Sequence, residues 1–133
     1  MNTKFQLDII TPINIQTFTE VSYLRIPSID GLVGIQAKHT YAIIALDIGE
    51  IKITDNNGNN IYFATSGGFA DIKPEGTQLL LETIEEAQNI DKKRAQDSYN
   101  RANKRLDNKQ EDLNRTKLSL KKAKNRLKII SRI

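Results

Sequence analysis

The residues with the most chemistry in them gather in the second half of the chain. Asp91 and Arg94 stand three apart in Ile90-Asp91-Lys92-Lys93-Arg94-Ala95, with Glu85 six residues ahead of Asp91. An Asp at a helix start accepts from free backbone N–H groups and complements the helix dipole, so the plain reading of this hexapeptide is a capped helix. A second reading uses the same side chains. Glu85, Asp91, Arg94 and the basic stretch beyond them close around a nucleotide, with arginine forks on phosphate and a carboxylate accepting from ribose or the adenine amino group. The residues alone leave both readings open.

The remaining candidates carry less. The single histidine, His39, has no cysteine, second histidine or carboxylate pattern beside it. It reads as a polar loop or contact residue. The absence of cysteine excludes disulfides, thiolate catalysis and zinc–thiolate sites. Ser66-Gly67-Gly68 lacks both the Lys-Ser/Thr frame of a phosphate loop and the Gly-x-Ser-x-Gly frame of a nucleophile elbow, so it reads as backbone geometry. Glu82, Glu85 and Glu86 lie close in sequence with no visible acid/base partner, as a solvated strand end would. With no nucleophile, base pair or metal set in view, the chain reads as a non-enzyme.

Charge is split sharply. Residues 1–90 hold 5 basic and 11 acidic residues, a net of −6, and residues 91–133 hold 15 and 5, a net of +10. No acid follows Asp112, while residues 115–132 contain eight Lys and Arg. That end seeks an acidic partner: nucleic acid, anionic lipid or a carboxylate-rich protein surface. A nucleic-acid-binding module is thus an alternative function, although Tyr99 is the only aromatic after Phe69 and base-stacking interleaving is absent.

Two kinds of element must position these groups. Phe5, Leu7 and Ile9 alternate with polar residues, the period of a half-buried strand, and Thr11-Pro12 ends it. Alternation returns over 18–26. Residues 41–46 are apolar throughout, as in a strand buried on both faces. Asp55-Asn56-Asn57-Gly58 makes a hairpin turn, and strands follow over 61–65, 69–73 and 77–83. All seven glycines and all three prolines lie at or before Gly76. From Glu85 onward helix formers dominate. Tyr99, Ala102, Leu106, Leu113, Leu120, Ala123, Leu127 and Ile130 form one 4-3 stripe, with polar Lys109 and Thr116 also on it. A turn is expected near Asn108-Lys109-Gln110, yet Leu106 and Leu113 are one heptad apart, so the seam also suits one straight helix. The reading is an α+β chain, mainly β then α: an antiparallel β-sandwich over 1–86, then a two-helix hairpin over 87–133. No apolar run approaches the ~20 residues needed to span a bilayer, and residues 1–5 lack a signal-peptide core.

Together these residues resemble the epsilon subunit of the F-type proton-translocating ATP synthase, bacterial type. The resemblance rests on Ile10-Thr11-Pro12, Ile26-Pro27 before Asp30-Gly31, Gly34-Ile35, His39, Gly49 with Ile51-Lys52-Ile53, and Ser66-Gly67-Gly68-Phe69. The loop Ile35-Gln36-Ala37-Lys38-His39-Thr40 departs from the family's Leu-Pro-Gly-His-x-Pro. The resemblance implies a non-catalytic rotor subunit of the central stalk, peripheral on the cytoplasmic face of the cell membrane and held there through the complex. Its partners would be the gamma subunit, the c-subunit ring and the catalytic beta and alpha subunits, with no nucleic acid. Asp30, Gly31, Gln36 and His39 would face the ring. Arg115, Lys121, Lys122, Lys124 and Arg126 would meet acidic segments of beta and restrain ATP hydrolysis. No cofactor is required, but ATP is implied as a regulatory ligand of Glu85, Ile90, Asp91, Arg94, Ala95, Arg101, Lys122 and Arg126. The Ile/Leu-Asp-x-x-Arg-Ala motif of ATP-binding members is intact, while Lys122 stands where they carry arginine.

Overall fold

The computed structural model describes residues 4–106 and 113–131. Nine strands and two helices follow one another among them. The strands are β1 (Phe5–Ile10), β2 (Ile15–Ser28), β3 (Gly31–Ile35), β4 (Ala42–Leu46), β5 (Gly49–Asp55), β6 (Asn60–Thr65), β7 (Gly68–Lys73), β8 (Gly76–Leu81) and β9 (Ile84–Glu86). A 3-10 turn, Ala87–Asn89, leads into α1 (Lys92–Leu106), and α2 is Leu113–Ile130. A β-sandwich followed by two helices is the expected architecture.

β2 organises the sandwich. It is longer than its 18–26 alternation indicates, because the end that pairs β1 at Ile15 and Phe18 needs no apolar alternation of its own. Its first half pairs β1, in the layer ordered β1-β8-β7-β4. Its second half lies between β3 and β5, so that Leu24 faces Ile35 on one side and Ile53 on the other. The ladder shifts register between Val21 and Tyr23, and this bulge bends the strand from one layer into the next. β6 and β9 complete the second layer. Every ladder is antiparallel except β1–β8, which is parallel from Gln6↔Gly76 to Ile10↔Leu80. No tight turn links these two strands, so nothing local dictates their direction.

The alternation in β1 sends Phe5, Leu7 and Ile9 inward. They meet Leu24 and Ile26 from β2, Ile51 and Ile53 from β5, Phe63 from β6, and Ile72 and Leu79 from β7 and β8. Phe18 adds an edge-on ring contact to Phe63, with centroids 6.2 Å apart. Burial of β4 on both faces is not what forms. Ile43 is 69% exposed and Tyr41 60%. Nothing among the described residues covers the outer side of the β8-β7-β4 layer, where Ile10, Leu80, Phe69 and Ala45 are successive cross-strand neighbours. Phe69 and Leu80 are exposed there, which makes an apolar row on an open sheet face.

Asp91 caps α1 as expected: its Oδ1 accepts from the Arg94 N–H (3.1 Å). The helices pack antiparallel through buried Ala102, Thr116, Leu120 and Ala123, the middle of the anticipated stripe. At the end of α2 the stripe rotates. Ile129 is fully buried while Ile130 is only partly so. Here α2 also meets the outer face of β6, and Ile129 joins Ala64, Ala87, Ile90 and, from α1, Ala95 in a second small cluster. The turn expected near Asn108 lies outside the described residues.

Candidate functional site

The capped start of α1 forms one wall of a cleft of about 220 Å³. Asp91, Arg94 and Arg101 line it from the linker and α1, Glu85 from β9, and Arg126 from α2. Arg94, Ser98 and Arg101 fall at i, i+4 and i+7, so one stripe of α1 faces the opening. Ile90 and Ala95 line the same cleft but are buried in the second apolar cluster, which makes their role one of packing. Six residues implied by the resemblance, besides these two, therefore divide: Glu85, Asp91, Arg94, Arg101 and Arg126 converge here, and Lys122 does not. It lines an adjoining interhelical cleft of about 340 Å³, which shares Ser98, Arg101 and Arg126 with the first.

The charges in the cleft are partly committed. Arg126 Nη2 donates to Glu85 Oε1 at 2.6 Å, tying α2 to the sandwich edge. Arg101 Nη2 donates to Ser98 Oγ at 3.2 Å. Asp91 Oδ1 accepts from the Arg94 backbone N–H, and no ion pair joins the two side chains among the described residues. Arg94 is exposed and forms no ion pair among the described residues. The cleft thus presents two guanidinium forks, on Arg94 and Arg101, beside an Arg–Glu pair that can exchange partners. That set suits a polyphosphate flanked by a hydroxyl-rich group.

A second contact between the halves lies at the β4–β5 turn. Lys121 Nζ donates to both oxygens of Asp47, at 2.9 and 2.8 Å. Asn125 Nδ2 donates to the Gly49 carbonyl at 2.8 Å. The Lys121 ammonium, helped by the Ile48 N–H, holds the Asp47 carboxyl below its ordinary value of 3.8 despite some burial. Sequence reasoning did not find Asp47, Gly49, Asn125, Asn89 or Ser98. Only Ser98 carried a signal, its helical spacing from Arg94 and Arg101.

The other anticipated contact residues are dispersed. Asp30 and Gly31 occupy the exposed β2–β3 turn, and Gly31 takes φ +128°. Gln36 and His39 lie beyond the opposite end of β3, with His39 Nδ1 2.7 Å from the Thr40 carbonyl. Of the basic residues on α2, Arg115 and Lys124 are exposed, whereas Lys121 and Arg126 engage the sandwich and Lys122 is half-buried. Lys117, Lys121, Lys124 and Lys128 are exposed at helical spacing, so α2 keeps a basic stripe although Lys121 is paired with Asp47.

Comparison with known proteins follows the two-part build. Residues 4–87 match the family described as ATP synthase, Delta/Epsilon chain, beta-sandwich domain, and residues 88–131 match its long alpha-helix domain. The chain belongs to the ATP synthase delta/epsilon family. Among bacterial epsilon chains, that of Syntrophomonas wolfei is 35% identical, with 91% of this chain and 90% of the relative covered. That of an Exiguobacterium species is 36% identical, covering 97% and 96%. A chain in the cryo-EM structure of the Euglena gracilis mitochondrial ATP synthase superimposes with a TM-score of 0.82 at 17% identity, over 92% of this chain and 78% of that one. At that identity the likeness speaks for the fold alone. No helix among the described residues is long and apolar enough to cross a membrane.

Proposed function

We propose that this epsilon-family chain is a non-catalytic rotor subunit that couples proton translocation to ATP synthesis and restrains ATP hydrolysis through its C-terminal helices. ATP acts as a regulatory ligand in the cleft between α1, α2 and β9. One observation carries the reading: Glu85, Arg94, Arg101 and Arg126 come from three separate elements and meet only while the helices lie on the sandwich. A ligand that bridges them stabilises that arrangement by mass action. Without it, α2 is free to rise and offer Lys121, Lys122 and Arg126, with Arg115 and Lys124, to acidic segments of the catalytic beta subunits. The apolar row Ile10, Leu80, Phe69 and Ala45 supports docking of the sandwich on the gamma subunit. The loops bearing Asp30, Gly31, Gln36 and His39 are proposed for the c-ring, which would place the chain peripherally at the cytoplasmic face of the membrane.

Deleting the residues after Ile90 tests this reading. ATPase activity of the assembled complex should rise while assembly persists. An unchanged rate would remove the inhibitory role.

A further inference from the structure

We infer that the β4–β5 turn is a latch for the helical hairpin: Asp47 and the Gly49 carbonyl hold Lys121 and Asn125 of α2, and so set how much of the time the helices stay on the sandwich in the absence of any ligand. This latch is separate from the nucleotide cleft, which shares none of these four residues.

The receiving side is built to stay still. The Asp47 N–H donates to the Pro27 carbonyl at 2.8 Å, and the Ile48 N–H donates to Asp47 Oδ1 at 2.7 Å. Gly49 passes so close to Pro27 that an added Cβ would lie 2.5 Å from the proline ring, so only glycine lets the turn sit against β2. The carboxylate and the carbonyl are thereby presented in fixed positions at the sandwich edge. On the other side, Lys121 and Asn125 are one helical turn apart and reach the same edge together.

What surrounds the contact lets it tune docking. On the sandwich side, the crevice against mid-α2 is lined by Ala64, Thr65, Ser66, Thr83 and Glu85, small or polar side chains, with Ile48 of the turn itself as the large apolar member. The large apolar contact of α2 with the sandwich comes later, around Ile129. Over the middle of α2 the hydrogen bonds at the turn are the principal attachment to β4 and β5. They use two side chains that an extended helix would release. Docking therefore uncouples Lys121 from any external acid, and undocking frees it.

The chain has no cysteine, so two labels can be placed cleanly. Cysteines replacing exposed Asn57 on the sandwich and Lys117 on α2 carry spin labels, and pulsed dipolar spectroscopy reads the distance distribution of the full chain without nucleotide. Asp47→Asn and Lys121→Gln should each raise the undocked fraction about 1.4- to five-fold, the range for a partly exposed ion pair. Asp47→Lys combined with Lys121→Asp should restore docking. Unchanged distributions in both single variants would overturn the latch. So would an effect in the single variants that the swapped pair fails to reverse. The inference assumes the proposed two-state hairpin but not its nucleotide. ATP added to the same labelled chains reports on the cleft alone, and its having no effect beside intact mutational shifts would fell the nucleotide reading while supporting the latch.

Discussion

Ile129→Ala should detach the helical hairpin while leaving the sandwich folded. Ile129 is fully buried, in a cluster whose other buried members are Ala64, Ala87, Ile90 and Ala95. Among the described residues it is thus one of two large buried side chains, with Ile90, in the cluster that joins the helices to the second layer. Truncating a buried isoleucine to alanine costs about 2–5 kcal/mol, transfer and cavity terms together. Partly buried Leu127 and Ile130 flank the site and can close over the gap, which favours the lower part of that range, about 2–3 kcal/mol. The polar ties are smaller. Both partners of Arg126–Glu85 and of Lys121–Asp47 are more than a third exposed, so each pair contributes about 0.2–1 kcal/mol. The apolar loss therefore exceeds either ion pair. Native-state amide exchange separates the outcomes, because local opening appears as faster exchange confined to one region. Amides of α1 and α2 should exchange about 30- to 150-fold faster, from the same 2–3 kcal/mol at 1.4 kcal/mol per decade. Amides of Leu7, Ile53 and Leu79 should be unaffected. Equal acceleration in helices and core strands would refute the reasoning, since the chain would then open as one unit.

Removing a fork from the cleft should weaken ATP binding more than it weakens folding. Arg94→Ala and Arg101→Ala should each cost about 10- to 150-fold in affinity by calorimetry, the range of charge-assisted bonds worth about 1.5–3 kcal/mol, with the thermal midpoint barely moved. The Asp47 carboxyl is held low in the folded chain, so its contribution to helix docking is complete above the ordinary value of 3.8 and is lost as pH falls through the lowered folded value. Label distances should therefore hold steady at neutral pH, spread in acid below that value, and lose this component of acid response in Asp47→Asn. Gly68→Ala should destabilise the sandwich itself. At φ +149° an added Cβ would lie 2.0 Å from the Leu80 carbonyl oxygen, so a drop in the thermal midpoint should accompany at least ~1–3 kcal/mol of strain. A melt like that of the parent chain would contradict the geometry.

Much of the fold was legible because local periods agree with what is buried. Phe5, Leu7 and Ile9 alternate and point inward, and Asp91 caps the helix where its side chain predicts. The failures share one cause: local sequence cannot tell which surface another element will cover. Ile43 and Phe69 look like core residues and lie on an open face. Ile129 rather than Ile130 is engulfed because Ala64 of the sandwich and Ala87 and Ile90 of the linker, with Ala95 of α1, receive the end of α2. The site follows the same division. Glu85, Asp91, Arg94, Arg101 and Arg126 converge, and the α1 members share a helical face that spacing reveals. Asp47 stands 74 positions from Lys121, in a turn with no pattern of its own, and no local rule connects them.

β2 has a mechanical consequence. In a sandwich whose layers meet only through side chains, one layer can slide over the other at the cost of repacking. Here one continuous strand belongs to both layers, bound to β1 at one end and to β3 and β5 at the other. Sliding the layers would have to stretch or break ladder hydrogen bonds along that strand. The body is stiff in shear, and its soft coordinate is the attachment of the helices. In the proposed rotor, torque entering through the exposed row on β8, β7 and β4 would pass through β2 into the layer beneath the helices with little loss in elastic deformation. A rigid arm with a detachable tip can then turn with the shaft while its tip responds separately.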